Sequence, residues 1–460
     1  MKEIEREHPE YVRRKAMLKR YRDLYAGGEQ LRGSAAEYLI PRHKEPWAVY
    51  NERLRGVFYE YYIGSIVDWY AATLFRREPV LSFEGPNEAG RRFFCEFTED
   101  CDRKGTSLSD FFRARLTDAL VSGSSLIMVD FPRTKGRAAT RAEEEAAGLA
   151  RAFLTEYRTE DLTNWSRDEQ GEYDWVVLRT DGIRKEALDG EWRHETRCWR
   201  SYRREGEGGR GEAALEGEGL HALAKQGRVP VFELRVPEGL WLMNKAALLQ
   251  LEHFNKSNAL AWGITMSLFA MPVIFSSGKL DQKVGESYYL QLGPDDRFGW
   301  TEPEGKVHRI AMENLSRLKD EIYRVCYLMT QAGGALSGNP ASGLSKQRDF
   351  SVTQEVLRAY GDGVKDTMKK VLRAVNAARE DGLTVDVSGL DEFDIGDFSG
   401  ELSDAERLLA LGAGSPTLRR EVLKKLALKY LCDTRQELKD RISRELSDWV
   451  SEAGDGQSGG

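Results

Sequence analysis

Cysteine and histidine are scarce in this chain, with five of the first and six of the second among 460 residues. The cysteines are odd in number and scattered, which excludes a disulfide scaffold and fits a reducing compartment. Cys95 and Cys101 are the closest pair, yet no histidine lies within the spacing of a zinc site, so structural cysteines are expected. The histidines (His8, His43, His194, His221, His253 and His308) are isolated from one another, and no catalytic or metal-binding cluster is expected from them. Long apolar runs are missing too. Ala259–Phe275 (ALAWGITMSLFAMPVIF) is 17 residues without a charge, just short of the roughly 18–20 of a spanning helix. Its apolar spacing continues backward through Phe254, Leu251 and Leu248, with Glu252, His253 and Lys256 interspersed. The segment therefore reads as a helix buried in protein, broken near its end by Pro272. Met1–Arg22 is dense in charge, so no signal peptide is expected.

What is present is a chain with 41% hydrophobic residues, 31% charged residues and a formal net charge of −7. Those proportions can fill real cores and describe a mildly acidic protein rather than a basic coat for nucleic acid. The length suggests two to four compact units, by the rule of roughly 100–200 residues per domain.

The N-terminal half reads as mixed α and β. Tyr11–Tyr25 is a basic helix. Trp47–Phe75 reads as one long helix ending near Pro79, with aromatics (Phe58, Tyr59, Tyr61, Tyr62, Trp69, Tyr70, Phe75) too numerous for a single stripe, which implies packing on several sides. Ser107–Val121 is a helix, and a turn at Gly123 leads into an apolar strand, Ser125–Phe131. Pro132–Arg137 lacks the glycine fingerprint of a dinucleotide site after that strand. A short helix is expected at Glu143–Ala152, strands at Trp175–Arg179, Arg197–Arg203 and Arg228–Val236, and an exposed acidic low-complexity stretch at Gly206–Gly219.

The architecture then changes. Leu242–Leu268 is a helix of 27 residues, about 40 Å at 1.5 Å per residue. It leads to a small β-rich insert, Val273–Ile310, whose clearest strand is Tyr288–Leu292. Met312–Gln331 and Ser345–Glu380 follow as helices, the second with Gly361 and Gly363 predicting a bend or a close helix contact. A strand at Leu383–Val387 and two or three short helices from Ser403 to Val450 close the chain, ahead of a loose tail.

Between the last two long helices, Ala332–Ser345 reads AGGALSGNPASGLS, without a charged, aromatic or β-branched residue. Gly338 and Gly343 enclose four residues, as in a phosphate-binding loop, but Leu344 stands where the lysine belongs. Lys346 comes two positions too late, the preceding residues are helical rather than a strand, and Pro340 removes an amide donor. Nucleotide capture is not expected. No complete P-loop, triad or metal-ligand spacing is found elsewhere, so no enzyme activity, cofactor or metal is expected.

The order of helix, small β insert, helix, glycine loop, long helix and helical cap resembles the portal proteins of tailed bacteriophages. Three stretches are similar to motifs of a phage and prophage portal group. They are EYLIPRHKEPWAVYNERL at Glu37–Leu54 (Tyr-Leu-Pro, Glu, Tyr, Arg, with Ile40 an extra residue), TLFRREP at Thr73–Pro79, and DALVSGSSLIMVDFP at Asp118–Pro132. The resemblance implies an α+β fold with an α/β wing (residues 1–239, completed by 346–400), a stem of two helices (240–272 and 312–331), a clip (273–311), a tunnel loop (332–345), a crown (401–452) and a flexible tail (453–460). It implies a homo-oligomeric ring, a dodecamer, at one capsid vertex of the virion, assembled in the host cytoplasm, through which double-stranded DNA is packaged and later leaves. On that resemblance the tunnel loop comprises Gly333, Gly334, Ala335, Leu336, Ser337, Gly338, Asn339, Pro340, Ala341, Ser342 and Gly343. Lys346 and Arg348 are candidate DNA contacts, and Tyr288, Tyr289, Asp295, Asp296, Arg297 and Trp300 form the clip face toward the terminase large subunit. Major capsid and scaffolding proteins and a head–tail connector are the other implied partners, with no membrane. Another connector or minor head protein, or a phage ATPase or nuclease, is the alternative. Connectors are generally shorter, and the enzymes lack their motifs here.

Overall fold

The structure, a computed structural model, describes residues 5–132, 151–185, 192–203, 221–268, 271–276, 294–301, 305–328, 343–391, 398–411, 415–430 and short pieces of 438–446. The fold is α+β, helices with small antiparallel sheets. The chain divides into two compact units, one made of Met1–Arg22, Val67–Met243 and Phe350–Gly460, the other of Asp23–Ile66 and Asn244–Asp349.

The first unit is built around Ser124–Asp130, a strand whose leading six residues are all buried. Burial on both faces requires an uninterrupted apolar run, which SSLIMV comes close to supplying. Ser107 caps the preceding helix, Leu108–Ser122, by accepting the Asp110 N–H. That helix ends at Gly123, whose φ of 88° only glycine adopts without cost. A side chain at Gly123 would also meet the Trp241 ring at 3.2 Å. The strand pairs antiparallel with Phe153–Arg158 on one side and Val231–Arg235 on the other. Leu162–Arg167, Tyr173–Lys185 and Trp192–Arg203 form a second antiparallel sheet. Leu126, Met128, Tyr157, Tyr173, Val176, Leu178 and Val231 make one buried cluster across the two sheets. Each such side chain contributes roughly 1.5–3 kcal/mol of transfer free energy. A third pairing joins Val80–Glu84 to Thr384–Ser388 across some 300 residues of sequence.

The expected single helix over Trp47–Phe75 is two helices, Trp47–Arg55 and Tyr62–Leu74. The break falls where the Phe58 N–H and carbonyl both bond to the Asn258 side chain instead of to helical neighbours. The helix expected over Met312–Gln331 runs from Lys306 to Val325, so the insert expected to reach Ile310 gives up its last residues to it. Its stop is a left-handed Tyr327, φ 62°, across which the Leu328 N–H reaches the Tyr323 carbonyl. That is a Schellman-type end without the usual glycine. Gly343, read as the end of the loop, opens the helix Gly343–Arg379. Gly361 in that helix answers a close contact: a Cβ there would lie 2.3 Å from the Leu390 carbonyl. The acidic stretch Gly206–Gly219 and the strand Tyr288–Leu292 lie outside the described residues, as does the expected helix Glu143–Ala152 except for its last two residues, which are not helical. Several elements were not expected from the sequence, among them the strand Val80–Glu84, the helix Glu88–Glu99, capped by Asn87, and the strands Phe153–Arg158 and Leu162–Arg167.

Candidate functional site

In the second unit, Leu242–Leu268 and Lys306–Val325 form a helical hairpin whose far end is a β-ribbon of Met271–Phe275 and Arg297–Thr301. One antiparallel register runs through both parts. Lys245 Nζ donates to Tyr327 Oη (2.5 Å) and Lys256 Nζ to Asn314 Oδ1 (2.9 Å). Gly263 faces His308, whose Nε2 would lie 3.4 Å from a Cβ. Met271 then pairs with Thr301 and Phe275 with Arg297. Each step along one arm is matched by a step back along the other that differs by at most two residues, so the helices and the ribbon, together the rod, follow one another in register.

The base of the rod is held by polar side chains of the first helix that grip the backbone of residues 38–63. Gln250 donates to the Glu60 carbonyl (2.9 Å) and accepts from the Ile63 N–H (3.2 Å). Asn255 donates to the Tyr38 carbonyl (3.0 Å) and accepts from the Ile40 N–H (2.9 Å). Asn258 donates to the Phe58 carbonyl (2.9 Å) and accepts from its N–H (3.1 Å). A carboxamide carries a donor and an acceptor side by side, so each replaces a neighbouring strand. The apolar periodicity of Leu242–Leu268 gave no sign of these three clamps, because each amide sits inside the stripe that the periodicity assigns to the core.

The first motif assembles around the clamps. Tyr38 Oη donates to Asp23 (2.6 Å), Tyr50 Oη to the Leu39 carbonyl (2.9 Å), and Arg53 Nη1 to both Glu45 oxygens (3.0 and 2.7 Å). Its Tyr, Leu, Glu, Tyr and Arg are thus a structural lock, and the extra Ile40 is accommodated with its side chain exposed.

His253 is buried in the same base, 2% exposed. Its Nε2 lies 3.8 Å from Glu60, the Tyr62 ring stands edge-on at 5.0 Å, and Nδ1 has no hydrogen-bond partner. Burial lowers its pKa, with Lys319 acting in the same direction and Glu60 against it. Tyr62, bonded to Glu60 and close to Tyr323, has its own pKa raised by burial first and by those neighbours next. Burial also pushes the Cys326 thiol up to about 12, which leaves it protonated and unreactive.

Beyond this base no cover over the rod is found among the described residues. Among the residues from Ala259 to Glu321 whose burial is described, none is buried, so the expectation that Ala259–Phe275 is a helix buried in protein is overturned for the chain on its own: its start is exposed helix and its end a strand of the ribbon. Yet residues 259–321 contain Leu260, Trp262, Ile264, Met266, Val273, Ile274, Phe275, Phe298, Val307, Ile310, Met312, Leu315 and Leu318. Met266, Phe275, Val307, Ile310 and Met312 are each more than half exposed.

Of the residues expected at the clip, Asp295 and Arg297 are exposed and Asp296 is half-buried at the entry to the ribbon, and Trp300 pairs with Pro272 across it. Tyr288 and Tyr289 lie outside the described residues, as do the loop positions from Gly333 to Ser342. Lys346 and Arg348 fall in the opening turns of the helix Gly343–Arg379. No group of three metal-ligating side chains is found among the described residues, and no helix there is long and apolar enough to cross a membrane.

No protein-family model matches the chain, and no curated protein does. Among solved structures it is similar to a chain from the neck of an empty GTA particle computed with C6 symmetry, at 14% identity and a TM-score of 0.42, over 76% of this chain and 85% of that one. It is also similar to a chain from the virion of a native gene transfer agent particle, again at 14% identity and 0.42, over 82% and 92%. A third likeness, at 13% identity and 0.38 over 76% and 84%, is to the neck of the native particle computed with C12 symmetry. At TM-scores below 0.5 these likenesses carry no argument about what this chain does.

Proposed function

We propose that this chain is the portal subunit of a tailed phage or a related particle. Copies form a ring whose channel passes double-stranded DNA during packaging and release, and the ring serves as the docking platform for the terminase, for capsid and scaffolding proteins and for the head–tail connector. The observation that supports this reading best is the uncovered rod. The two helices and the ribbon expose Met266, Phe275, Val307, Ile310 and Met312, and such surface is costly in water unless another protein covers it. A rod flanked by identical rods on both sides has that cover. The element order and the three motif stretches of the sequence agree with the same reading.

The charge of the rod refines it. Its two helices carry Lys245, Lys256, Lys306, Arg309, Arg317, Lys319 and Arg324 against Glu252, Glu313, Asp320 and Glu321, seven cations to four carboxylates. The −7 of the whole chain is therefore carried elsewhere, and an acidic channel wall is not built from these helices alone.

Electron micrographs of the purified chain test the proposal. Rings with a central hole wide enough for a DNA duplex are expected. A monomer at every concentration would overturn it, and so would ATP or DNA hydrolysis abolished by a single substitution.

A further inference from the structure

In the first unit, Trp192–Arg203 is the outer strand of the sheet it makes with Leu162–Arg167 and Tyr173–Lys185. Residues that stand opposite one another in an antiparallel pair share a face, so the register sorts the sheet into two surfaces. Val176 and Leu178, fully buried in the core cluster, mark one of them. On the other, Trp175 stands opposite Arg203, and Arg179 stands opposite Trp199. Two tryptophan–arginine pairs thus lie four residues apart along the strands, about 13 Å at roughly 3.3 Å per residue. They run in opposite sense, since the tryptophan belongs to the inner strand in one pair and to the outer strand in the other. Asp181 opposite Arg197 is the next position on the same face. From Trp175 to Asp181, then, three arginines (Arg179, Arg197 and Arg203) share the surface with one carboxylate, in a chain whose formal net charge is −7. Trp175 and Arg179 are both partly exposed, and the buried Nε of Arg179 has no hydrogen-bond partner.

We infer that this face of the sheet is a platform for single-stranded nucleic acid. An indole offers a π-face on which any base can stack, and a neighbouring guanidinium carries the planar donor fork that suits a phosphate. Each tryptophan–arginine pair therefore supplies one group for a base and one for the backbone, and the sheet repeats the pair. The surplus of arginine over carboxylate complements a polyanion. A duplex is the poorer occupant, because its bases are already stacked on one another and show only their edges. A polyanion without rings would satisfy the arginines and leave both indoles idle. The inference stands apart from the ring proposed above, whose channel passes double-stranded DNA.

Fluorescence anisotropy tests the site, with the full chain titrated into a labelled oligodeoxythymidylate of about 12 nucleotides, within the roughly 4–16 that a small stacking platform covers. The parent is expected to bind it, and to bind less as salt rises, with a log–log slope of about −0.7 per phosphate neutralised. Trp199→Ala should weaken binding roughly 5- to 150-fold, the loss of one stacked base, whereas Trp199→Phe keeps a ring and most of the affinity. Arg203→Gln should make the salt slope shallower by about 0.7. Melting temperatures are read alongside, and if Trp199→Ala melts below the parent, Trp199→Phe and Arg203→Gln decide. An equal length of duplex, or polyglutamate of the same charge, should displace the oligonucleotide poorly. The inference is overturned if the parent does not bind the oligonucleotide, as expected of pairs that only brace the hairpin. It is equally overturned if the alanine and glutamine variants bind like the parent, or if duplex or polyglutamate competes as well as the single strand. A parent that forms rings without binding the oligonucleotide leaves the ring standing, and one that binds it without forming rings leaves the platform standing.

Discussion

A single buried imidazole gives this protein a defined response to acid. His253 is buried beside Glu60 and the Tyr62 ring, with the Lys319 charge acting against its protonation, and its Nδ1 is unpaired, so the neutral ring fits the site better than the imidazolium. Its pKa in the folded chain is lowered by burial first, below the value of about 6.5 of an unperturbed histidine. The unfolded chain therefore binds the proton more readily. It follows that the contribution of His253 to stability is complete above pH of about 6.5 and is lost as the pH falls through the lowered folded value. The melting temperature of the parent should be level from pH 8 to 7 and decline toward pH 5. His253→Gln, which keeps polarity and approximate size but cannot titrate, should decline less over the same range. An unchanged slope in that variant would assign the acid response to other groups.

At the scale of elements, what the sequence reveals and what it conceals separate by physical cause. Leu242–Leu268 is legible to its last residue because its apolar positions recur at helical spacing, and Ser124–Asp130 because an apolar run follows a glycine turn. The stop of Lys306–Val325 is not legible. A tyrosine takes the left-handed position that normally announces itself as glycine, and the apolar spacing runs on through Met329. The break between Trp47–Arg55 and Tyr62–Leu74 is concealed for a different reason: it is imposed from 200 residues away by Asn258, and no local propensity encodes it. The candidate site divides in the same way. Periodicity finds the two rod helices and composition finds the glycine-rich loop, but the amide clamps at the base exist only once the chain is folded. Asn258→Leu tests the clamp. It conserves approximate volume while stranding the N–H and carbonyl of Phe58, at a cost of about 1–3 kcal/mol. The amides of residues 57–61 should then exchange with deuterium faster, ahead of those in Ser124–Asp130. Uniform acceleration across the chain would mean that the clamp holds the whole fold and not this junction.

For the whole molecule, the proposed ring assigns different tasks to the rod and to the glycine loop. The rod carries exposed apolar surface, which suits permanent contact between copies. The stretch from Gly333 to Gly343 has neither, and small neutral residues grip little. DNA that must slide is poorly served by tight binding, since a protein contacting 6–10 phosphates holds the duplex strongly at low salt and loses roughly 10³–10⁵ in affinity as salt rises. A neutral loop avoids that trap, with Lys346 and Arg348 in the following helical turns as the nearest cations. Deleting Gly333–Gly343 should therefore leave ring formation and melting temperature unchanged. The amount of DNA packaged per particle, or retained after packaging, should fall by severalfold. Particles that fill and hold their DNA normally without the loop would remove it from the translocation path and leave the rod as the part of the chain on which the proposed function rests. Loss of rings in the deletion variant would instead make the loop a brace between neighbouring copies, a role for which its composition offers no gripping side chain.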